Sequence, residues 1–484
     1  MDDLARTGAG LRRDETLERK ALAWMEDPWG ALGMSNTQVH SVPREEAEAV
    51  QLAALNIRLE QRRAQIPVLA KLADAQGVTQ VETLDDAAPL LFTHDIYKSY
   101  PISLLVKQRF DQLIKWLDRL TPYDVAGLDV SGCGSIDDWL TRIQTETPLD
   151  VATSSGTSGT LSFFPKSKRD YISAVTGLRV QLTQPFGGPP TDVDLNAKIH
   201  VLTPFYRDGH STVARLPAYF REVFCKGDDT CLHTALPYKL SSDMMWLAAR
   251  LRAAAAAGDA TRVDVPENLL ARRGEWEQMQ AETLARQSAF IREIVPQLSG
   301  ERVFALGVTL LFYEIAKQGL ADGVRGDFAP GSVIMGGGGA KGAVLPDDAE
   351  AVVKAFFGIS RMVGGYGMTE QNAYLLSCEH DRFHVPPWVT TLLLDPETGQ
   401  PLPRDGEQTG RAAFFDMTHD GGWGGIVTGD RVSVDYRPCA CGRSTVHLHK
   451  KIQRFSELTG DDDKLTCAAT PSAQAEALDY LNGF

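Results

Sequence analysis

The sequence predicts an α/β protein with mostly parallel sheets flanked by helices, together with a β-rich subdomain. Between residues 198 and 363, short apolar runs alternate with helical segments, which is typical of a parallel sheet. After the turn at Asp395–Gly399 the pattern changes to short strands and turns, which indicates the β-rich part. At 484 residues the chain exceeds what one ordinary core organises, so we expect two or three packed units.

We expect residues 1–90 to form a helical N-terminal part that packs on the larger body. Helical apolar spacing covers residues 14–24, which Pro28 ends, and residues 45–75, which are interrupted near Pro67. The expected buried stripe of the second stretch consists of Leu52, Leu55, Leu59, Ile66 and Leu69.

We expect residues 91–437 to form an α/β body and residues 438–484 to form a β-rich end, a hinge-like segment and a short tail. In the body, helical segments at 310–317 and 347–357 separate apolar runs, and a helical insertion is expected at about 240–292. Ligands of parallel sheets bind where the strands end, so the turns after the strands are candidate site segments. Strands are predicted at residues 198–202, 303–307, 332–335 and 361–363.

Composition restricts the classes of function. The formal charge of −14 argues against nucleic acid or an anionic membrane surface as a partner. The apolar runs are too short for a membrane-spanning helix, and no apolar segment follows Arg12 and Arg13, as a secretory signal requires. Seven cysteines fit a reducing compartment better than a disulfide framework, so we expect a cytoplasmic protein.

One stretch consists only of hydroxylated residues and glycine, and it lies between two extended-looking segments. Such a loop can surround a phosphate chain with O–H and N–H donors, because glycine allows close approach of the backbone. No Gly-Lys-Ser/Thr follows, so this is not a Walker A loop, and a plain Ser/Gly-rich turn would have the same composition. The stretch consists of Thr153, Ser154, Ser155, Gly156, Thr157, Ser158 and Gly159.

Further candidate motifs follow predicted strands or lie in later turns. A glycine run at 336–342 contains Gly338, Gly339 and Lys341, although such runs also form tight turns. Thr428–Asp430 is a Thr-Gly-Asp turn, and Arg443 and Arg454 come after it. The segment after the last predicted strand of the parallel sheet contains Tyr366, Gly367, Met368, Thr369 and Glu370.

In this order, the motifs resemble those of the adenylate-forming superfamily of acyl- and aryl-CoA ligases. Thr153–Gly159 is similar to the phosphate-binding signature, Tyr366–Glu370 to the Tyr-Gly-x-Thr-Glu motif, and Thr428–Asp430 to the ribose-binding motif. The resemblance covers most of the chain, from about Leu90 to Lys464. It implies the fold of the large N-terminal domain of these enzymes, which has several subdomains.

In three details the sequence resembles the phenylacetate–CoA ligase branch of this superfamily and the acyl-protein synthetases of bacterial bioluminescence. A hairpin-like segment at 161–165 follows the signature in place of Pro-Lys-Gly, so Lys166 and Lys168 are not assumed to bind phosphate. Gly337–Lys341 is similar to a Gly-Gly-Gly-Trp-Lys run, and a Cys/His pattern is the third detail. Related ligases carry a catalytic lysine on a mobile C-terminal domain, which we expect to be vestigial after Lys464.

The resemblance implies ATP-dependent activation of a carboxylic acid, in which the carboxylate attacks the α-phosphate and pyrophosphate leaves. The signature loop would hold the β- and γ-phosphates, Thr369 would donate to the α-phosphate, and Glu370 would bind Mg²⁺. Tyr366 offers a face to adenine, with a core aromatic as the alternative, and Asp430 can accept from the ribose hydroxyls. Further candidate contacts are Gly338, Gly339, Gly367 and Met368 for the nucleotide, Arg443 or Arg454 near the ribose or phosphate, and Lys341, Lys451 or Lys464 for the absent catalytic lysine.

The Cys/His pattern supplies three thiolates and one imidazole, which is the ligand complement of a tetrahedral zinc site. Some related ligases bind zinc at similar cysteines, and four protein ligands would make such a site structural. Buried reduced cysteines are the alternative interpretation, and His380, His447 and His449 are competing ligands. The candidate ligands are Cys378, His384, Cys439 and Cys441.

The sequence also contains candidates for the acyl pocket and for the acceptor of the acyl group. Phe205 and His210, in a polar segment after the first predicted strand, are candidate pocket residues. The acceptor is expected to be a thiol or an amine on CoA, a protein or a small molecule. By resemblance to the acyl-protein synthetases, Cys467 is a candidate acceptor, although Asp461–Asp463 oppose thiolate formation. Alternatives are a nucleotide-binding protein without turnover and a zinc-containing subunit of an acyl-processing complex.

Overall fold

The computed structural model describes residues 15–155, 160–183, 195–256, 258, 265–337, 345–459 and 481. Within them the predicted α/β class is confirmed. A six-stranded, mostly parallel sheet is flanked by helices, a seven-stranded sheet is mostly antiparallel, and a two-stranded hairpin is separate from both. No helix in the described part of the chain is long and apolar enough to cross a membrane.

The α-helices and strands of the described residues have the following bounds, and short 3-10 helices lie at Leu84–Leu90, His94–Lys98 and Asp229–Cys231. The helices are α1 Glu15–Glu26, α2 Pro28–Ala31, α3 Asn36–His40, α4 Arg44–Gln65, α5 Pro67–Gln76, α6 Ser103–Val106, α7 Phe110–Asp118, α8 Ile136–Glu146, α9 Lys168–Thr183, α10 Thr212–Val223, α11 Ser242–Ala256, α12 Glu267–Leu270, α13 Arg273–Gln297, α14 Thr309–Ala321, α15 Ala349–Phe357 and α16 Phe455–Thr459. The strands are β1 Phe92–Thr93, β2 Ala152–Ser155, β3 Leu161–Phe164, β4 His200–Gly209, β5 Leu232–Leu240, β6 Val303–Val308, β7 Val333–Gly337, β8 Met362–Tyr366, β9 Leu375–Leu376, β10 Arg382–His384, β11 Val389–Leu394, β12 Glu407–Asp416, β13 Gly425–Asp435, β14 His447–His449 and β15 Gln453–Arg454.

The N-terminal helices agree with the proline positions and the apolar spacing of the sequence. Pro28 and Pro67 each occupy the first turn of a new helix, where the missing N–H of proline costs nothing. The predicted stripe is confirmed except that Leu52 is partly exposed, and its buried members are Leu55, Leu59, Ile66 and Leu69.

The six-stranded sheet has the order β5-β4-β6-β7-β8-β9, and only β8 and β9 are antiparallel neighbours. The four predicted strands correspond to β4, β6, β7 and β8, and the expected insertion is helical as α11, α12 and α13. The first of these strands is longer than predicted, because β4 continues to Gly209 and includes the segment from Thr203 that was expected to follow it. The edge strand β5 was not predicted, because only Leu232 and Leu236 of its nine residues are buried.

The seven-stranded sheet confirms the predicted β-rich part. Its order is β10-β14-β13-β12-β11, and β1 and β15 also pair with β13. The sheet begins earlier than predicted, because β10 and β11 precede the turn at Asp395–Gly399. All six residues of β11 are buried, so this strand lacks the alternation by which a half-buried strand is recognised.

Asp170, near the start of α9, connects the two sheets. Its buried carboxylate accepts hydrogen bonds from Asn372 Nδ2 at 2.6 Å and from the backbone N–H groups of Ser167, Asp420 and Gly421. Burial opposes ionisation of this carboxyl. The positive charge on neighbouring side chains and the backbone donors outweigh that effect and lower the pKa of Asp170 to about 2. The carboxylate therefore fastens the turn after β8 and the turn before β13 to the same helix.

Candidate active site and metal cluster

The hydroxyl-rich stretch begins in a strand. β2 and β3 form the predicted hairpin, with Ser155 opposite Leu161, so Thr153, Ser154 and Ser155 belong to β2. Gly156–Gly159 lie outside the described residues. The backbone N–H of buried Thr153 donates to the carbonyl of His210 at 2.7 Å. Among the described residues, the Thr153 hydroxyl has no hydrogen-bond partner.

The turn after β8 meets the same region through Thr369. Its Oγ1 lies 2.9 Å from Oγ1 of Thr212, the first residue of α10. Ser211 precedes Thr212, forms a β-bridge with Thr153 and caps α10 by accepting from the N–H of Ala214. Thr212 was not identified from the sequence, although a Ser-Thr pair directly after a strand is a recognisable helix start.

Lys166 contacts the backbone of the turn after β8. It is 2% exposed, and its Nζ donates to the carbonyl oxygens of Thr369 at 3.0 Å and Gln371 at 2.8 Å. Burial lowers the pKa of Lys166, while Asp170 and other nearby carboxylates raise it. The exposed Lys168 donates to the carbonyl of Thr147 at 3.0 Å. The structure thus gives both lysines backbone partners.

Tyr366 and Asp430 lie together although they come from different sheets. The Tyr366 hydroxyl donates to Oδ2 of Asp430 at 2.8 Å, and Nε of Arg454 is 3.5 Å from Oδ1. Asp430 is buried, whereas the Arg454 side chain is 68% exposed. Burial, and then the Asp430 charge, raise the pKa of Tyr366 well above its ordinary value, so Tyr366 is a neutral phenol that donates to this carboxylate.

Glu370 lies within electrostatic range of this group. Burial raises the pKa of Glu370, the charges of Lys166 and Arg454 lower it, and Asp430 raises it. The structure therefore brings Thr153, Thr369, Glu370 and the pair Tyr366–Asp430 toward one region where the two sheets meet. Of the two predicted cations, Arg454 lies at Asp430.

The remaining candidates are distributed as follows. Gly367 is exposed and Met368 partly buried in the turn after β8. Phe205 is partly buried on β4. His210 is 2% exposed, with Nε2 3.3 Å from Oγ1 of Thr141, and burial followed by the Lys239 charge lowers its pKa to about 4. The candidates outside the described residues are Gly338, Gly339, Lys341, Lys464 and Cys467.

The four predicted metal ligands come together at the edge of the seven-stranded sheet. Their ligand atoms all lie within 4.8 Å of one another, with the Sγ atoms of Cys378 and Cys439 at 4.0 Å and Cys441 Sγ at 3.2 Å from His384 Nε2. Bonds of about 2.3 Å to a tetrahedral zinc would place two sulfurs about 3.8 Å apart. A disulfide needs about 2.05 Å, so these two sulfurs are not bonded, and the four ligand atoms are close enough together to hold a metal ion.

Arg443 belongs to this cluster. Its carbonyl accepts the N–H of Cys439 at 2.9 Å, and its charge lowers the pKa of His40 and His384, after the larger effect of burial. Arg443 therefore occupies the turn that carries two of the cysteines, which differs from its predicted place near the ribose or phosphate.

Fold and clustered motifs define an α/β protein with a candidate nucleotide site and a candidate metal cluster. No family model and no curated protein matches the sequence. Several solved structures are similar to this chain. One is 2-hydroxyisobutyryl-CoA ligase in complex with 2-HIB-AMP and CoA, with a TM-score of 0.48 and 12% sequence identity. The match covers 86% of this chain and 71% of that chain. The same ligase in the postadenylation state gives a TM-score of 0.49 and 11% identity over 86% and 69%.

Two further kinds of enzyme are similar over a smaller share. The amide bond synthetase McbA from Marinactinospora thermotolerans has a TM-score of 0.35 and 14% identity over 63% of this chain and 49% of that chain. ATP-bound MatB from Rhodopseudomonas palustris has a TM-score of 0.35 and 16% identity over 65% and 52%. These similar structures are adenylate-forming enzymes.

Proposed function

We propose that this protein uses ATP and Mg²⁺ to activate a carboxylic acid as its acyl-adenylate. The observation that supports this proposal is the convergence of the three motifs, in which the Tyr366 hydroxyl contacts Asp430 at 2.8 Å and Thr369 contacts the start of α10 beside Thr153. A carboxylate oxygen attacks the α-phosphorus of ATP, the bond to the β-phosphate breaks, and pyrophosphate leaves.

Each motif has a chemical role in this proposal. The Thr153 hydroxyl, which lacks a partner among the described residues, donates to the phosphate chain with the rest of the signature loop. Glu370 supplies carboxylate oxygen to Mg²⁺. Asp430, held by Tyr366, accepts from the ribose hydroxyls, and the exposed Arg454 neutralises nearby negative charge.

ATP–pyrophosphate exchange in the presence of a broad panel of carboxylic acids tests the proposal. At least one acid should support exchange, and Glu370→Gln should lower the rate by about 100-fold, because metal-bound charge stabilisation is lost. Glu301→Gln is a control on an exposed residue that precedes β6, at the opposite end of the parallel strands from the turn with Glu370, and it should leave the rate unchanged. ATP binding without exchange for any acid would instead support a nucleotide-binding protein without turnover.

We propose that the activated acyl group then passes to a thiol or an amine. The products formed from the adenylate with CoA, with small amines and with the protein alone distinguish these acceptors. Mass spectrometry of the intact protein after incubation with ATP and the active acid detects self-acylation directly. A labelled chain in the absence of CoA and amines would identify a protein thiol as the acceptor.

We further propose that Cys378, His384, Cys439 and Cys441 bind a structural zinc ion. The support is the spacing of the four ligand atoms, all within 4.8 Å of one another. With four protein ligands the ion would have no open position for a substrate, so its role is to stabilise the loops around β10 and β14. The purified protein should contain about one equivalent of zinc, and Cys439→Ser should contain far less. Wild-type protein that binds no zinc under reducing conditions would refute this role.

A further inference from the structure

The metal cluster has a second layer that reaches a distant part of the chain. Nδ1 of His384 lies 3.4 Å from Oγ1 of Thr445, and the same hydroxyl oxygen lies 2.9 Å from Nδ1 of His40. His40 is the last residue of α3, and 405 positions separate it from Thr445. All three side chains are buried.

Metal binding would fix the direction of these hydrogen bonds. Nε2 of His384, which faces Cys441 Sγ at 3.2 Å, must be unprotonated to bind a metal, so Nδ1 carries the proton and donates toward Thr445, whose hydroxyl lies 3.4 Å away and whose backbone also contacts the ring. The Thr445 hydroxyl then has its own proton to donate, and Nδ1 of His40 is the acceptor at 2.9 Å. A ligand imidazole oriented in this way is the usual arrangement around protein-bound zinc.

The backbone next to His40 is held by the same loop. Ser444 donates from its N–H to the His40 carbonyl at 2.9 Å, and its Oγ donates to the His40 carbonyl at 3.2 Å and to the Val42 carbonyl at 2.9 Å. The loop from Cys439 to Thr445 therefore contributes two metal ligands at one end and holds residues 40–42 at the other.

We propose that the ion bound by the Cys/His cluster also fastens the N-terminal helices to the seven-stranded sheet, with His40 and Thr445 as positioning residues for His384. This inference rests on the proposed zinc site. His40 is a positioning residue and not a ligand, because it reaches the cluster through the Thr445 hydroxyl.

Two variants interrupt the connection without removing a ligand. Thr445→Val removes the hydroxyl and keeps the shape, and His40→Leu removes the acceptor. The contacts from Ser444 to residues 40 and 42 remain in both variants, so the segment should stay in place but lack the contact that runs through Thr445. His40→Asn keeps a polar atom close to the position of Nδ1. Thr409→Val is the matched control, because its hydroxyl contacts Ser433 on the exposed face of the same sheet.

Competition with a zinc chelator on the full-length protein measures the affinity. We expect Thr445→Val and His40→Leu to bind zinc about tenfold to 100-fold more weakly than wild type, the usual effect of losing a partner of a metal-bound histidine. His40→Asn should recover much of this loss, and Thr409→Val should match wild type. Affinities of Thr445→Val and His40→Leu within twofold of the control would overturn the inference while leaving the zinc site intact.

Amide hydrogen exchange at residues 36–42, with and without zinc, supplies a second readout. Removal of zinc should increase exchange in wild type and in Thr409→Val. In Thr445→Val the segment should already exchange faster with zinc bound, and removal of zinc should add little. Equal exchange in the two wild-type states would overturn the inference. A wild-type protein that binds no zinc would overturn the metal proposal as well, and ATP–pyrophosphate exchange would still test the adenylation proposal separately.

Discussion

Replacement of Lys166 by methionine tests whether a buried charge sets the geometry of the candidate active site. The Lys166 ammonium contacts the carbonyl oxygens on either side of Glu370, and after His419 it is the second side chain whose charge counters the buried Asp170. Methionine fills a similar volume but supplies no donor, so both carbonyls lose this partner.

The size of the effect follows from these contacts. Removing one member of a buried charged network typically costs about 3–5 kcal/mol, and the desolvation cost that lysine no longer bears offsets part of this. We therefore expect the free energy of unfolding to fall by roughly 3 kcal/mol. Displacement of Thr369 and Glu370 should also lower the maximal rate of pyrophosphate exchange by at least about tenfold, because a small misplacement of catalytic groups is costly.

Lys168→Met provides the matched comparison. Lys168 is two positions away, exposed, and donates to the single carbonyl of Thr147. Its loss should change the free energy of unfolding by no more than about 0.5 kcal/mol, as is usual for surface substitutions. Urea unfolding and pyrophosphate exchange on the two variants measure both quantities. If Lys166→Met resembled Lys168→Met in stability and rate, the proposed role of Lys166 in holding this turn would be wrong.

Three further predictions address other parts of the molecule. The folded-state pKa of Asp170, about 2, lies below its ordinary value of 3.8, so the stability from this group is present above pH 4 and lost as the pH falls toward 2, by roughly 2 kcal/mol. Asp170→Asn should flatten that part of the urea-unfolding profile against pH, and an unchanged slope would contradict the assignment. Tyr366→Phe removes the hydrogen bond that Tyr366 donates to Asp430, so it should raise the KM for ATP by about tenfold. The hydroxyl of Tyr436 has no partner among the described residues, so Tyr436→Phe should leave this KM unchanged. If Cys467 accepts the acyl group, Cys467→Ser should abolish covalent labelling of the protein, and undiminished labelling would exclude this residue.

Much of the parallel sheet could be predicted because its strands are locally distinctive. β6, β7 and β8 are short apolar runs between helices, and each lies close to its predicted bounds. β5 and β11 were missed for opposite reasons, because the first exposes most of its residues and the second buries all of them. Neither pattern has the alternation that identifies a strand without its neighbours.

Some residues of the candidate site could be selected from the sequence, and others could not. Motif order along the chain was enough to select Glu370, Tyr366 and Asp430, and the types of the four Cys/His residues were enough to select a metal cluster. Lys166 could not be assigned a role from sequence, because its partners are backbone carbonyls more than 200 positions away. The same holds for Thr212, whose partner Thr369 is 157 positions distant.

The sequence by itself therefore determined the fold class, the motifs and the chemical types of the candidate ligands, since each depends on residues that are near one another in the chain. Tertiary structure alone decided that Arg454 lies at Asp430 while Arg443 lies at the cysteine cluster. It also decided that His40 approaches the cluster through Thr445. These assignments depend on strand register and on contacts between distant segments, which local apolar pattern and residue type do not specify.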